Sequence, residues 1–76
     1  MTRVAVGTWV KLAGFVPGEE ELFHIVPAGE ANLQENEVPV DSPLARALDG
    51  ATVGDRVKFH PPAGEVELKI LDVGKR

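Results

Sequence analysis

Cysteine and tyrosine are absent from this 76-residue chain, and serine, tryptophan and methionine occur once each. Without cysteine there is no disulfide framework and no thiolate metal site, and nothing points to an oxidising compartment. No apolar run approaches the roughly 20 residues of a membrane-spanning helix, and Met1-Thr2-Arg3 before Val4-Ala5-Val6-Gly7 lacks the pattern of a signal peptide. The expectation is a cytoplasmic protein with no membrane partner. Clustered cations are missing too. Twelve Asp and Glu outnumber eight Lys and Arg, for a net charge of −4, and the cations are scattered singly from Arg3 to Lys69 before a Lys75-Arg76 tail. Non-specific nucleic-acid binding draws its energy from cations gathered against phosphates. Direct DNA or RNA binding is therefore not expected, and an acidic surface suits solubility or a basic protein partner.

A chain of this length is one domain, residues 1–76. It buries only about 60% of its unfolded surface, so its core must be small and well packed. Ser42 to Asp49 carries the one strong helix signal. Ser42 is a suitable N-cap, Pro43 fits the first helical position, and Gly50 is free to take a left-handed cap. Leu44, Ala47 and Leu48 fall on one side, with Ala45 and Arg46 facing away. A helix of about two turns does not persist alone, so it must pack on something else.

Alternation supplies that partner. Gly7 to Ala13 sets Thr8, Val10 and Leu12 against Trp9, Lys11 and Ala13, the pattern of a half-buried strand. Pro17-Gly18 turns the chain, and Glu20 to Val26 forms a second strand with Phe23 and Ile25 inward, Leu22 and His24 outward. Pro27 to Glu37 has no period and reads as a loop. Val38-Pro39-Val40 is extended, Pro39 barring it from a central strand position. After the helix, Arg56 to His60 turns Val57 and Phe59 inward, and Pro61 to Gly64 makes a second turn. Glu65 to Val73 then points Val66, Leu68 and Ile70 inward. Arg56 and Lys58 pair with Glu65 and Glu67 across the strands, which helps to fix register. The fold class is α+β: a twisted antiparallel sheet of four to five strands covered by one short helix at about 42–49. One helix cannot cover so wide a sheet, so Trp9, Leu22, Leu71 and Val73 are expected to form an apolar patch on the outer face.

Catalysis finds no support. His24 and His60 stand apart with no metal-ligand spacing, the glycines are single turn residues that build no phosphate loop, and no Ser, His and Asp form a nucleophile arrangement. No catalytic residue, metal ligand or cofactor is assigned. Asp41 is the polar group to weigh. Beside the N-cap it can act as a supplementary cap favoured by the helix dipole. Alternatively it is a fixed acceptor displayed next to a proline ring, a docking knob for a helix or coiled coil.

Val40-Asp41-Ser42-Pro43-Leu44-Ala45-Arg46-Ala47-Leu48, Val53-Gly54-Asp55-Arg56-Val57 and Pro62-Ala63-Gly64-Glu65-Val66 strongly resemble the C-terminal domain of the bacterial Gre transcript-cleavage factors, a domain found also in the nucleoside diphosphate kinase regulator family. Gly7 to Leu12 and Phe23 to Val26 match its opening hairpin more loosely. The likeness runs over about residues 4 to 73. It implies an FKBP-like sheet with one short helix, docked on the rim of the RNA polymerase secondary channel against a coiled coil of the largest subunit. The Asp and Pro of the family's D-S-P motif are contact residues and correspond to Asp41 and Pro43, with Ser42 between them and Arg46 flanking. Gre factors also carry an N-terminal coiled coil whose acidic tip helps to hold the metal for RNA cleavage, and this chain starts where that coiled coil should end. The resemblance thus implies a dock without the catalytic arm, competing with full-length secondary-channel factors. A natural stand-alone domain and an excised fragment both fit, although Met1-Thr2-Arg3 reads like a natural start. Two alternatives remain: an oligomerising interaction module, such as a homodimer, with another partner, and a peptidyl-prolyl isomerase. The second needs a deep aromatic pocket, and only Trp9, Phe15, Phe23 and Phe59 are at hand to build one.

Overall fold

The computed structural model describes residues 2–32, 36–62 and 64–75. Strand β1 (Thr8–Ala13) buries Thr8, Val10 and Leu12, as its alternation predicts. Val16 to Glu19 closes a type II turn: Gly18 takes φ +81° and the Glu19 N–H donates to the Val16 carbonyl at 3.1 Å. Strand β2 (Glu20–Val26) returns antiparallel, with Val10 opposite Phe23 and Trp9 opposite His24. The second hairpin joins β4 (Arg56–Phe59) to β5 (Val66–Lys75), with Val57 opposite Leu68 and Phe59 opposite Val66. The expected cross-strand charges meet, Arg56 with Glu67 and Lys58 with Glu65, each at 3.9 Å. These pairs are exposed and contribute less than about 1 kcal/mol each.

Two features of the sheet differ from the sequence expectation. The sheet is mixed, not wholly antiparallel: β3 (Glu37–Pro39) lies parallel to β2, with Ile25 opposite Val38. The connection after Val26 carries the chain back to a point opposite His24, so β3 runs the same way as β2. The strand order is β3-β2-β1-β5-β4, which leaves Pro39 on an edge, where its missing N–H costs no ladder bond. The second difference is in β5. Lys11 faces Asp72 but Leu12 faces Ile70, so Leu71 is an extra residue, a β-bulge. The bulge reverses the alternation beyond it. Val73, expected on the outer patch, is therefore in the core at 8% exposure. The outer face keeps Leu22, at 40% exposure, with half-buried Trp9 and Leu71. The Trp9 indole lies flat on Gly74, where a Cβ would collide with the ring.

Helix α1 (Pro43–Leu48) begins as expected: the Ser42 hydroxyl accepts from the Ala45 N–H at 3.2 Å, Pro43 opens the first turn, and Gly50 follows at φ +79°. Its buried face is rotated from the predicted one. Ala45, expected to face away, is 2% exposed and buried with Leu48. The cause lies in the sheet, which curls until its two outermost strands, β3 and β4, both touch the helix. Flanked on two sides, α1 buries a wider arc than one stripe, and the small Ala45 side chain permits the close approach. Among the described residues no helix is long and apolar enough to cross a membrane.

The segment before β1 ties the far end of the helix. Val4, 1% exposed, exchanges backbone bonds with the loop after α1: its N–H donates to the Ala51 carbonyl at 2.8 Å and its carbonyl accepts from the Gly50 N–H at 2.9 Å. Arg3 Nη1 donates to the Gly50 carbonyl at 2.9 Å, and Thr52 Oγ1 to the Thr2 carbonyl at 3.0 Å. At the opposite side Phe15 meets Phe23 and Phe59 edge-on, with ring centroids 6.1 and 6.3 Å apart. Such pairs add about 0.5–1.5 kcal/mol each beyond area burial. Gly14 makes this possible, because the chain passes against β5 there at φ +134° and a Cβ would strike the Glu67 carbonyl oxygen.

Gly14→Ala is expected to destabilise the domain by about 2 kcal/mol or more, from positive φ combined with a backbone collision. Gly29→Ala, at φ +85° in open space, should cost only about 1 kcal/mol. Urea denaturation of both variants reads the difference, and equal costs would remove the close approach as the cause. Ser42→Ala loses the N-cap bond and should cost about 1 kcal/mol, measured in the same way.

Candidate functional site

The chain leaves β3 and enters α1 through a corner pinned by backbone hydrogen bonds on either side of Asp41. The Val40 N–H donates to the Val26 carbonyl and the Ser42 N–H to the Pro39 carbonyl, both at 2.9 Å. The Ser42 carbonyl takes the first helical bond, from the Arg46 N–H at 2.9 Å, while its hydroxyl caps the first turn. Asp41 is the exception. It is exposed, and among the described residues its carboxylate enters no hydrogen bond or ion pair. Ser42 does the capping, and Asp41 makes no capping hydrogen bond. Pro43 is also exposed, one residue beyond the cap. Arg46 is exposed in the last turn. Three residues after Pro43, it rises from the same side of the helix.

Beside this corner runs an apolar groove of about 540 Å³ that local sequence signals do not reveal. Phe23 and Phe59 line it from the sheet, Val38 and Leu44 from the strand and helix on either side of the corner. Pro39 and Pro43 form one margin, and Pro61 and Pro62, from the turn after β4, form the other. Among the described residues, the lining side chains able to hydrogen-bond are Ser42 and His60. Of the four site residues expected from sequence, Ser42 and Pro43 border the groove, whereas Asp41 and Arg46 stand outside its lining. The prolines and phenylalanines are plain in the sequence. Their meeting depends on the curl of the sheet, which brings the end of β4 to the start of α1.

The histidines are far apart in the fold. His60, just past β4 instead of within it, stays exposed, with Nδ1 3.6 Å from Glu65 Oε2. His24, expected on a solvent face, is half-buried between Trp9 and Glu37 on the neighbouring strands, and its Nδ1 is buried without a partner. Among the described residues no three His, Asp or Glu side chains gather as metal ligands would. A second hollow of about 440 Å³ lies against the first residues of the chain, bordered by Arg3, Val6, Thr8 and Lys75. Arg3 already donates to Gly50 there, and the Thr8 hydroxyl exchanges bonds with Ala5.

Comparison with known proteins agrees with this architecture. The family model described as transcription elongation factor, GreA/GreB, C-term matches residues 1–75. Transcription elongation factor GreA of Shouchella clausii is 41% identical over 70 residues, covering 92% of this chain and 44% of that protein. GreA of Yersinia pestis bv. Antiqua is 42% identical over 71 residues, covering 93% and 45%. Among solved structures, Gfh1 of Thermus aquaticus superposes with a TM-score of 0.82 at 29% identity, over 92% of this chain and 46% of that one. The chain thus spans less than half the length of these relatives. It belongs to the GreA/GreB family of transcription elongation factors, and the part of the family it carries is the C-terminal domain.

Proposed function

We propose that this domain docks on RNA polymerase at the rim of the secondary channel, against a coiled coil of the largest subunit, and modulates elongation in the cytoplasm by occupying that place. The observation that carries this reading is the unspent carboxylate of Asp41, held at a corner where the Val40 and Ser42 N–H groups are bonded back to Val26 and Pro39 and Ser42 caps the helix. Asp41 accepts hydrogen bonds or a salt bridge from the partner. Pro43 packs against the partner's surface, Ser42 holds the two in fixed relation, and Arg46 flanks the contact. A rigid acceptor loses little freedom on binding, so more of its interaction energy survives as affinity. The net charge of −4 favours approach to a basic surface. The domain acts by binding, with no chemistry of its own, and competes with full-length factors for the same place.

A second reading, association of two copies through the outer sheet face, rests on the 40% exposure of Leu22 beside Trp9 and Leu71. Light scattering over a dilution series tests it, and a monomer mass throughout would remove it.

Asp41→Ala is expected to weaken capture of core RNA polymerase by at least about tenfold, near 1.4 kcal/mol. It should leave folding stability within about 0.5 kcal/mol, because the side chain is exposed and unbonded. Equal capture of polymerase by both proteins would end the docking role.

A further inference from the structure

The hollow against the first residues of the chain lies past the far end of α1, where Arg3 bonds to Gly50, and takes no part in the corner. Its lining holds two cations, Arg3 and Lys75, and no Asp or Glu, in a chain where twelve acids outnumber eight Lys and Arg. Lys11, Arg56 and Lys58 each have a Glu oxygen at 3.6 to 3.9 Å. Among the described residues Arg3 and Lys75 enter no ion pair. Two uncompensated positive charges at one concavity attract an anion that the rest of this acidic surface repels.

The donors around the hollow are partly fixed in advance. Arg3 Nη1 donates to the Gly50 carbonyl at 2.9 Å, which holds the guanidinium and leaves its other N–H groups unspent among the described residues. Lys75 lies opposite Thr8 at the end of the central strand pair and supplies a movable ammonium. Ala5 to Thr8 form a type II turn, with the Thr8 N–H donating to the Ala5 carbonyl at 3.1 Å and Gly7 at φ +89°. The N–H groups of Ala5, Gly7 and Thr8 are bonded, but that of Val6 enters no hydrogen bond among the described residues. A held planar fork, a mobile point charge and a backbone donor suit an oxyanion. A phosphate monoester carries about −1.5 to −2 charges near pH 7 and so matches both cations. A carboxylate, with a single charge, leaves one of them unmet. The volume of about 440 Å³ is within the roughly 300–1,000 Å³ of small-molecule sites. It has room for the carbon body of an ester beside the Val6 side chain, which is 47% exposed.

We propose that this hollow binds a small phosphate monoester. The Arg3 guanidinium, the Lys75 ammonium and the Val6 N–H hold its phosphate, and its carbon body rests on Val6. The site stands whether or not the domain docks on polymerase.

Phenyl phosphate, titrated into the full chain at constant ionic strength and followed by proton–nitrogen correlation NMR, provides the test. Saturable shifts centred on the amides of Val6, Gly7 and Lys75 are expected. Lys75→Gln should weaken binding at least about fivefold, through loss of one charge-assisted contact. Arg3→Lys, which keeps the charge and loses the fork, should weaken it as well. Because Arg3 also bonds Gly50, Lys75→Gln keeps the result interpretable if the Arg3 variant loses stability. Lys69→Gln removes the same charge from an exposed position outside the hollow and should bind as the parent does. Equal weakening by the two Gln variants would reduce the effect to net charge and overturn the proposal. Shifts that do not saturate, or unchanged affinity in Lys75→Gln, would overturn it too. So would phenylacetate binding as tightly as phenyl phosphate. Displacement by an oligodeoxythymidine without a terminal phosphate would assign the hollow to a nucleic-acid backbone and likewise end it. None of these measurements involves Asp41 or polymerase, so failure here is distinguishable from failure of the docking role.

Discussion

Burial of Leu48 is the contact on which the corner depends. A helix of six residues does not form by propensity, since nucleation alone outweighs so few backbone bonds. Leu48 is fully buried and Ala45 nearly so. Burying a leucine side chain is worth about 1.5–3 kcal/mol, comparable to the whole deficit of a helix this short. The Ser42 cap and the Pro43 start decide where the helix begins, but burial decides that it exists. The strap formed by Arg3 and Val4 reinforces the same end, by bonding the carbonyl and N–H groups just after α1. The exposed first turn is therefore held from behind, by residues that never approach it.

The sheet contributes through its curl. With β1 and β5 paired at the centre, the first and last strands of the chain are fixed to each other, and two short hairpin arms extend to either side. Right-handed twist accumulates across the strands, and the bulge at Leu71 adds to it. The outcome is that β3 and β4, the most distant strands in the order, both reach α1. Phe15 joins the two arms from within, one edge-on contact to β2 and one to β4. The groove is the gap left where the arms almost meet. Its proline margins follow from where prolines are tolerated at all: on an edge strand, at a first helical position and in a turn.

How much of this was legible in the sequence follows from the range of each interaction. The N-cap, the Pro-Gly turn, the alternation of β1 and the charge pairs of the second hairpin are local, and each appears as expected. Val73 shows the limit. Its side is set by an extra residue on β5 relative to β1, which only the pairing of two distant strands reveals. Ala45 fails for a related reason, because a helical wheel assumes one flat partner and this helix has two. The parallel run of β3 and the bonds from Val4 to Gly50 and Ala51 carry no short-range signature. At the site, the acid and the proline were readable as a pair. The groove beside them was not, since Phe59 and Pro61 are brought to Pro43 by tertiary curvature alone.

The division of labour at the corner has a physical logic. An apolar groove attracts almost any hydrophobic surface and discriminates poorly, because the hydrophobic effect has no direction. A single fixed carboxylate outside that groove adds little gross affinity in water, but it rejects any partner that presents an acid there, and it fixes orientation. In the proposed dock, Asp41 could serve this way only while it is free. Had it been the N-cap, its oxygens would be committed to the helix and its geometry would relax if the helix frayed. With the cap assigned to Ser42, the carboxylate stays uncommitted and available to the proposed partner, at the start of a helix whose other end is anchored by buried Leu48.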